Sequence, residues 1–464
     1  MAADRTGFLA VPAAAILLLW PAIWNGYPIV FADTGTYLSQ AIHHYAGWDR
    51  PVFYSLFMLP LHATVTVWPV IVVQAVMTAW ILWRVCRTLL PRASGIAFVG
   101  GTAVLAVGTW LPWIVSELMP DIFTPLLILS LCLLAWVPEL LSRRERLGMI
   151  ALAAFMIASQ QSSVPLACVL LAILTACREA AMHRRRSGRS DLRRDQPGQQ
   201  DAAITCPASR RLPLRLILPP ALALLALCSV NLAAHGRFAV SPFGNVFLLA
   251  RVIYDGPGMA VLRRDCPAAD WRLCPFRENF PSTSDDFLWA PGGPLDRAGG
   301  AKLVSGEADA IIRAALIADP VGEARAALSN TLQQLGRFAS GDGLTPWAAQ
   351  VTPWIEHDFP AREAAAYASA RQQNGSLTVP PLLARAHLAL ALCGVIACIA
   401  LLPVAFSRGT PCTGFLLAAL VALPLNAAIA GGLSAPHDRY QSRIMWLPPF
   451  IAAVSIASLR RRIA

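Results

Sequence analysis

The chain has 464 residues, of which 56% are hydrophobic and 14% charged, with a formal net charge of +11. A soluble domain carries roughly 25% charged residues, so this balance excludes an ordinary water-soluble globule and points to lipid. Nor does the positive charge indicate nucleic acid, because the arginines crowd at 178–215 and 460–462, beside apolar blocks. There they fix membrane orientation and attract anionic headgroups.

Asp, Glu, Lys and Arg are absent from 6–32, 51–83, 93–116, 147–177, 216–236 and 388–407. About 20 apolar residues make one crossing, and each run suffices. The first run ends in Trp20, Trp24 and Tyr27 rather than in small residues, so it is read as a retained helix and not a cleaved signal. The arginines then thread the chain. Helix 1 (7–25) exits, and helix 2 (67–88) returns to Arg84, Arg87 and Arg92. Helix 3 (94–112) exits, and helix 4 (121–138) returns to Arg143, Arg144 and Arg146.

One crossing over 147–177 would put the 178–215 arginines outside, so two short helices meeting at 159–163 are expected. Helix 7 spans 214–234, and helices 8, 9 and 10 span 385–405, 413–431 and 444–459. The expectation is an all-α polytopic membrane protein of about ten transmembrane helices, both termini cytoplasmic, preferably in a bacterial inner membrane. Its parts are an N-terminal module (1–234), a mainly helical extracytoplasmic loop domain (235–384) and a three-helix C-terminal segment (385–464).

Between the membrane helices, 183–211 is polar and poor in large apolar residues, and reads as a disordered cytoplasmic linker. In the outer loop, Ser241-Pro242 reads as an N-cap followed by proline at N1. Helices are expected at 303–318 and 320–339, separated by Asp319-Pro320. Most of the eleven cysteines lie in apolar or basic segments, but Cys266 and Cys274 share the outer loop. A disulfide between them is open on sequence alone.

Three groups could carry chemistry. Asp33-Thr34-Gly35-Thr36-Tyr37 follows helix 1, and the glycine would let the backbone turn closely around the carboxylate. The plainer alternative is Asp33 as the N-cap of an interfacial helix. Asp49-Arg50 lies at the same face. Glu117 and Asp121 are spaced i, i+4 and would share a face if the helix ran unbroken through Pro120; otherwise they cap helix 4. Buried acids in a membrane are functional candidates because burying them is costly. His437-Asp438-Arg439-Tyr440 with Arg443 places two arginines outside, against the charge bias. A phosphate would account for them, since guanidinium matches phosphate oxygens; so would headgroup anchoring. No Walker-type loop, HExxH, paired CxxC or Gly-x-Ser-x-Gly occurs.

In their order these groups resemble the GT-C glycosyltransferases, multi-spanning enzymes that use polyprenyl-phosphate sugars and include protein O-mannosyltransferases and aminoarabinose transferases. Asp33–Tyr37 is similar to the family's acidic first-loop motif, and 50–57 (Arg50-Pro51 onward) to its interfacial helix. Ser116-Glu117 is similar to its second acidic site, and Arg439-Tyr440 to its late Arg-Tyr element. The likeness covers about 7–235 and the last 30 residues, and Asp33 lacks the adjacent acid that several members carry.

The resemblance implies a GT-C-like module with Asp33 and Glu117 as catalytic residues. Tyr37, Arg50, Asp121, His437, Arg439, Tyr440 and Arg443 would bind substrate. The donor would be a lipid-linked sugar and the acceptor a lipid, glycan or protein, with membrane lipids around it and no nucleic acid. No metal is required, though Asp33 with Glu117 could ligate a divalent ion. The rival readings are a transporter or flippase of a lipid-linked or anionic substrate, and a non-catalytic membrane scaffold.

Overall fold

The computed structural model describes residues 5–195 and 214–460. Among them every regular element is a helix, apart from one isolated pairing of extended backbone at Ile29 and Glu117. Six helical segments are long and apolar enough to cross a membrane: Trp68–Leu89, Ser163–Ala181, Leu214–His235, Pro381–Ser407, Cys412–Leu433 and Asp438–Arg460. Gly95–Gly108 and Pro120–Trp136 are apolar but shorter.

Local chemistry sets where these helices start and stop. Ser142 and Glu145 close a reciprocal cap, the Ser142 N–H donating to Glu145 Oε2 at 2.8 Å and the Glu145 N–H to Ser142 Oγ at 3.3 Å. The resulting helix, Arg143–Ser159, stops just before Gln160, and the next starts at Ser163, so the expected break in the 147–177 run is present. Asp319 Oδ1 accepts from the Gly322 N–H at 2.8 Å and Pro320 takes the first turn, which separates Gly300–Ala318 from Pro320–Gly336 as expected.

Four boundaries differ from expectation. The first helix does not run through 7–25: Arg5–Leu17 ends, and Trp20–Asn25 begins with Pro21 in its first turn, where a missing N–H is harmless. The third stops at Gly108, and a short helix, Leu111–Val115, follows. The outer-loop helix begins at Gly244 with Phe243 in the N-cap place, two residues past the Ser241-Pro242 signal. Of the expected linker, the backbone is helical to Asp195 in continuation of the Ser163 helix, and 196–211 lies outside the described residues. Cys266 and Cys274 form a disulfide.

Two hydrophobic cores result. The larger joins the membrane helices: Arg5–Leu17 packs on Trp68–Leu89 and Gly95–Gly108, Leu214–His235 on Arg143–Ser159, and Pro381–Ser407 on Leu447–Arg460. The smaller is built only from the outer loop, between Phe243 and Ala315. The rest of that loop joins the larger core through Leu344, Val351, Tyr367 and Leu377. Gln372 fastens it there: its side chain accepts from the Val30 N–H at 3.0 Å and donates to the Val30 carbonyl at 2.7 Å, and its own N–H donates to Asn25 Oδ1 at 2.8 Å.

Candidate functional site

The site grows from a short extended stretch before the first outer helix, Ala32–His43. The Ile29 N–H donates to the Ser116 carbonyl at 2.9 Å and the Leu118 N–H returns to the Ile29 carbonyl at 2.8 Å. Thr34 Oγ1 accepts from the Phe31 N–H at 2.9 Å and donates to the Leu118 carbonyl at 3.1 Å. The 29–34 and 116–118 segments are thereby locked together. Asp33 is not the N-cap: Phe31 takes that place, and Asp33 lies in the first helical turn with its carboxylate free to face other elements. Gly35 is helical as well. What it supplies is space, since a Cβ there would overlap the Gln350 carbonyl of the outer helix Ala348–Asp358.

Five charged side chains, drawn from all three sequence groups, meet in one chain. Arg50 Nη2 is 2.7 Å from Asp33 Oδ1. Arg439 Nη2 is 3.6 Å from Asp33 Oδ2, and its Nε is 4.0 Å from Asp121 Oδ1. Arg443 Nη1 is 3.2 Å from that same oxygen. Taking ions out of water carries an effective penalty of several kcal/mol each, so such a chain persists only because each charge faces its opposite. Arg443 also donates from Nη2 to Asn426 Oδ1 at 3.0 Å and from Nη1 to Gln160 Oε1 at 3.4 Å. The Arg439 N–H donates to Asp342 Oδ2 at 2.8 Å, and its guanidinium lies 3.8 Å from the centre of the Phe31 ring.

The arginines are not fully used. A charge-assisted N–H···O bond is about 2.7–2.9 Å long, and both side-chain contacts of Arg439 with acids exceed that. Arg439 Nη1 and Arg443 Nε are buried without a hydrogen-bond partner among the described residues. A buried, unpaired donor on a cation is costly, and each of the two nitrogens lacks an acceptor such as an anionic oxygen.

The two acids proposed for catalysis are tuned oppositely. Burial alone would push the Asp33 carboxyl up, but Arg50 and Arg439 outweigh it and hold it below the ordinary carboxylate range. Glu117 is 2% exposed, and burial, reinforced by Asp121, pushes its carboxyl well above the usual range. The arginines thus favour the charged form of Asp33, while burial disfavours that of Glu117. The expected shared helical face of Glu117 and Asp121 does not exist, because Glu117 sits in extended backbone and Asp121 in a separate short turn, Pro120–Ile122.

Tyr37 packs edge-on to Tyr54 at 4.9 Å between ring centres, and Tyr54 Oη donates to Gln74 Oε1 at 2.6 Å. The Tyr440 ring lies 5.3 Å from the Arg439 guanidinium and 5.7 Å from that of Arg443. His437 turns the other way, to within 3.7 Å of Asp285 in the outer loop, and does not join the chain. Among the described residues no three of His, Cys, Asp and Glu are grouped to hold a metal ion. The arginines on Asp33 also leave its oxygens poorly placed to share one with Glu117.

Sequence reasoning missed Gln160, Asp342 and Asn426. Gln160 stood in the helix break already marked at 159–163, which was the available signal; the other two gave none. Compared with protein-family models, with curated proteins and with solved structures, the chain matches none of them.

Proposed function

We propose that this protein is a GT-C-like membrane glycosyltransferase, moving a sugar from a polyprenyl-phosphate carrier to an acceptor hydroxyl on the extracytoplasmic face. In this reading the chain crosses a bacterial inner membrane ten times, with both termini in the cytoplasm. The observation that carries it is the chain Arg50–Asp33–Arg439–Asp121–Arg443, half-buried at its Arg50 end and buried at Asp121 and Arg443, with two unpartnered guanidinium nitrogens. A phosphate monoester or diester matches that deficit in charge and in shape. Beside Arg50 a narrow cleft runs along Pro51, Phe53, Gln161, Leu227 and Asn231, where a candidate span meets the outer segment.

The chemistry follows from the opposed acids. The donor phosphate takes up Arg439 and Arg443 and competes with Asp33 for the first of them, which relaxes the clamp and raises the basicity of Asp33. Asp33 then accepts the proton of the acceptor hydroxyl, whose oxygen attacks the anomeric carbon with inversion. The bond from that carbon to the phosphate oxygen breaks, and the electron pair leaves with the lipid phosphate, held by the arginines. General-base help of this kind is worth about 10²–10⁴-fold. Glu117 orients the sugar or the acceptor by a hydrogen bond. Ala348–Asp358 and Asp342 close over the site and select a lipid, glycan or protein acceptor.

Mass spectrometry of envelope glycans tests this in cells lacking the gene and complemented with wild type or Arg439→Lys. A sugar that only wild type restores, at equal expression, supports the reading and identifies the product. Unchanged glycans in every strain would reject it and leave a transporter or scaffold.

A further inference from the structure

Two consecutive outer-loop helices distribute their side chains in opposite ways. Gly300–Ala318 buries Val304, Ala308, Ile311 and Ala315 in the smaller core, as an amphipathic helix facing water does. Pro320–Gly336 does the reverse. Glu323 and Gln334 are its buried side chains, at 3% and 0% exposure, whereas Val321, Leu328, Leu332 and Leu335 are 37–65% exposed. Positions 321, 328, 332 and 335 fall on one helical face, so this is an apolar ridge, interrupted once by the exposed Arg325.

The inward polar face is engaged by other elements, with Glu323 Oε1 the one oxygen there that lacks a hydrogen-bond partner among the described residues. Glu323 Oε2 pairs with Arg251 Nη1 at 2.7 Å, and Asn330 Nδ2 donates to Asp255 at 3.0 Å. Gln334 Nε2 donates to the His437 carbonyl at 2.8 Å, and the His437 N–H returns to Gln334 Oε1 at 2.9 Å. Polar groups paired inside and leucines turned outside is the arrangement that hydrocarbon imposes and water disfavours.

The surroundings name the solvent. Pro320–Gly336 packs on Cys412–Leu433, one of the six segments suited to cross a membrane. The contact is backbone-close, since a Cβ on Gly431 would come within 2.5 Å of the Asn330 carbonyl. The ridge therefore lies on a helix that packs directly against a membrane helix at its Gly431-Gly432 end. At the turn into the helix, Leu316 and Ile317 are 48% and 76% exposed and enlarge the same surface.

We propose that Pro320–Gly336 is immersed in the bilayer at the Gly431 end of that membrane helix, with Val321, Leu328, Leu332 and Leu335 against acyl chains. Arg325, exposed on the same face, extends its guanidinium to the phosphate layer. The outer loop is then anchored in lipid by its own helix, and this holds whatever reaction the site performs.

The test places nitroxide labels on the full chain in phosphatidylethanolamine–phosphatidylglycerol vesicles, with Cys168, Cys177, Cys206 and Cys393 replaced by serine. Labels at Leu328→Cys and Leu332→Cys should collide readily with oxygen and poorly with a water-soluble nickel chelate. A label at Arg313→Cys, on the preceding helix, should do the opposite. High nickel accessibility at 328 and 332 would overturn the proposal in favour of water. Shielding from both probes would overturn it in favour of a protein contact such as a second copy. Because both positions are exposed, the variants should keep the wild-type unfolding temperature, and Val321→Cys supplies a third reading of the same face.

Discussion

Arg439 reaches Asp33 across 3.6 Å, bringing the last short helix of the chain onto the first outer one. The looseness of that contact distinguishes it from the 2.7 Å pair of Asp33 with Arg50. The tight pair holds the carboxylate in place, and the loose one leaves a guanidinium available to a ligand.

Arg439→Lys separates charge from shape. Lysine keeps the positive charge between Asp33 and Asp121 but loses the planar fork. The fold should persist, with an unfolding temperature near wild type, while sugar transfer falls about 10²–10³-fold, the usual loss when a preorganised stabilising donor is removed. Arg439→Ala should be worse in a different way. It removes one of the two arginines that face each of Asp33 and Asp121, leaving Arg50 and Arg443, and should destabilise by about 1–3 kcal/mol.

Asp33 makes a prediction with a definite sign in pH. Its carboxyl is held below the ordinary carboxylate value in the folded protein, so the unfolded chain binds the proton more readily. The stability it contributes is fully present above the ordinary carboxylate value and is lost as pH falls through the lower folded value. Asp33→Asn should therefore unfold more easily than wild type at pH 7, and the gap should narrow as the medium is acidified below about pH 4. Thermal unfolding in detergent across pH measures it. A gap that stays constant would refute the pairing as its source.

Glu117→Gln should be mild if the carboxyl works in its neutral form, as its raised pKa implies. Glutamine keeps the size and a hydrogen-bond donor, so turnover should drop less than about tenfold, whereas a residue acting as general base would lose about 10²–10⁴-fold. Comparison with Glu117→Ala, which leaves a cavity, separates position from chemistry.

Gly35→Ala should destabilise by about 1–3 kcal/mol through overpacking, because the added methyl meets the Gln350 carbonyl. Its effect should concentrate where Ala348–Asp358 rests on the first outer helix. Hydrogen exchange that quickens at both segments, and little elsewhere, would be the expected pattern.

How much of this was legible beforehand depends on the range of each interaction. Charge-free runs and arginine clusters report on the bilayer directly, so the membrane character and the helix break at Gln160–Ser162 could be read from the sequence. The residues of the charge chain were legible singly, because acids and outward arginines stand out against apolar blocks. Their pairing was not, since Arg443 meets Asp121 from 322 positions away. Asp342 lies between two glycines with positive φ, in a turn without periodicity, and nothing local ties it to Arg439. His437 misled for the opposite reason: adjacency in sequence to Arg439 suggested a shared role, but the backbone turn sends it toward Asp285. Gly35 was expected to aid a turn and instead makes room for a neighbouring helix.

The clasp of Gln372 on Val30 sets a timetable for biosynthesis. Both hydrogen-bonding groups of Val30 are completed by a side chain 342 positions later. At about 5–20 residues per second, the ribosome reaches Gln372 on the order of tens of seconds after Val30 has emerged. Throughout that interval the segment that carries Asp33 waits at the membrane without its closing partner. A nascent chain stalled before residue 372 should insert its early helices and yet leave this segment open to proteases, and release of the stall should close it.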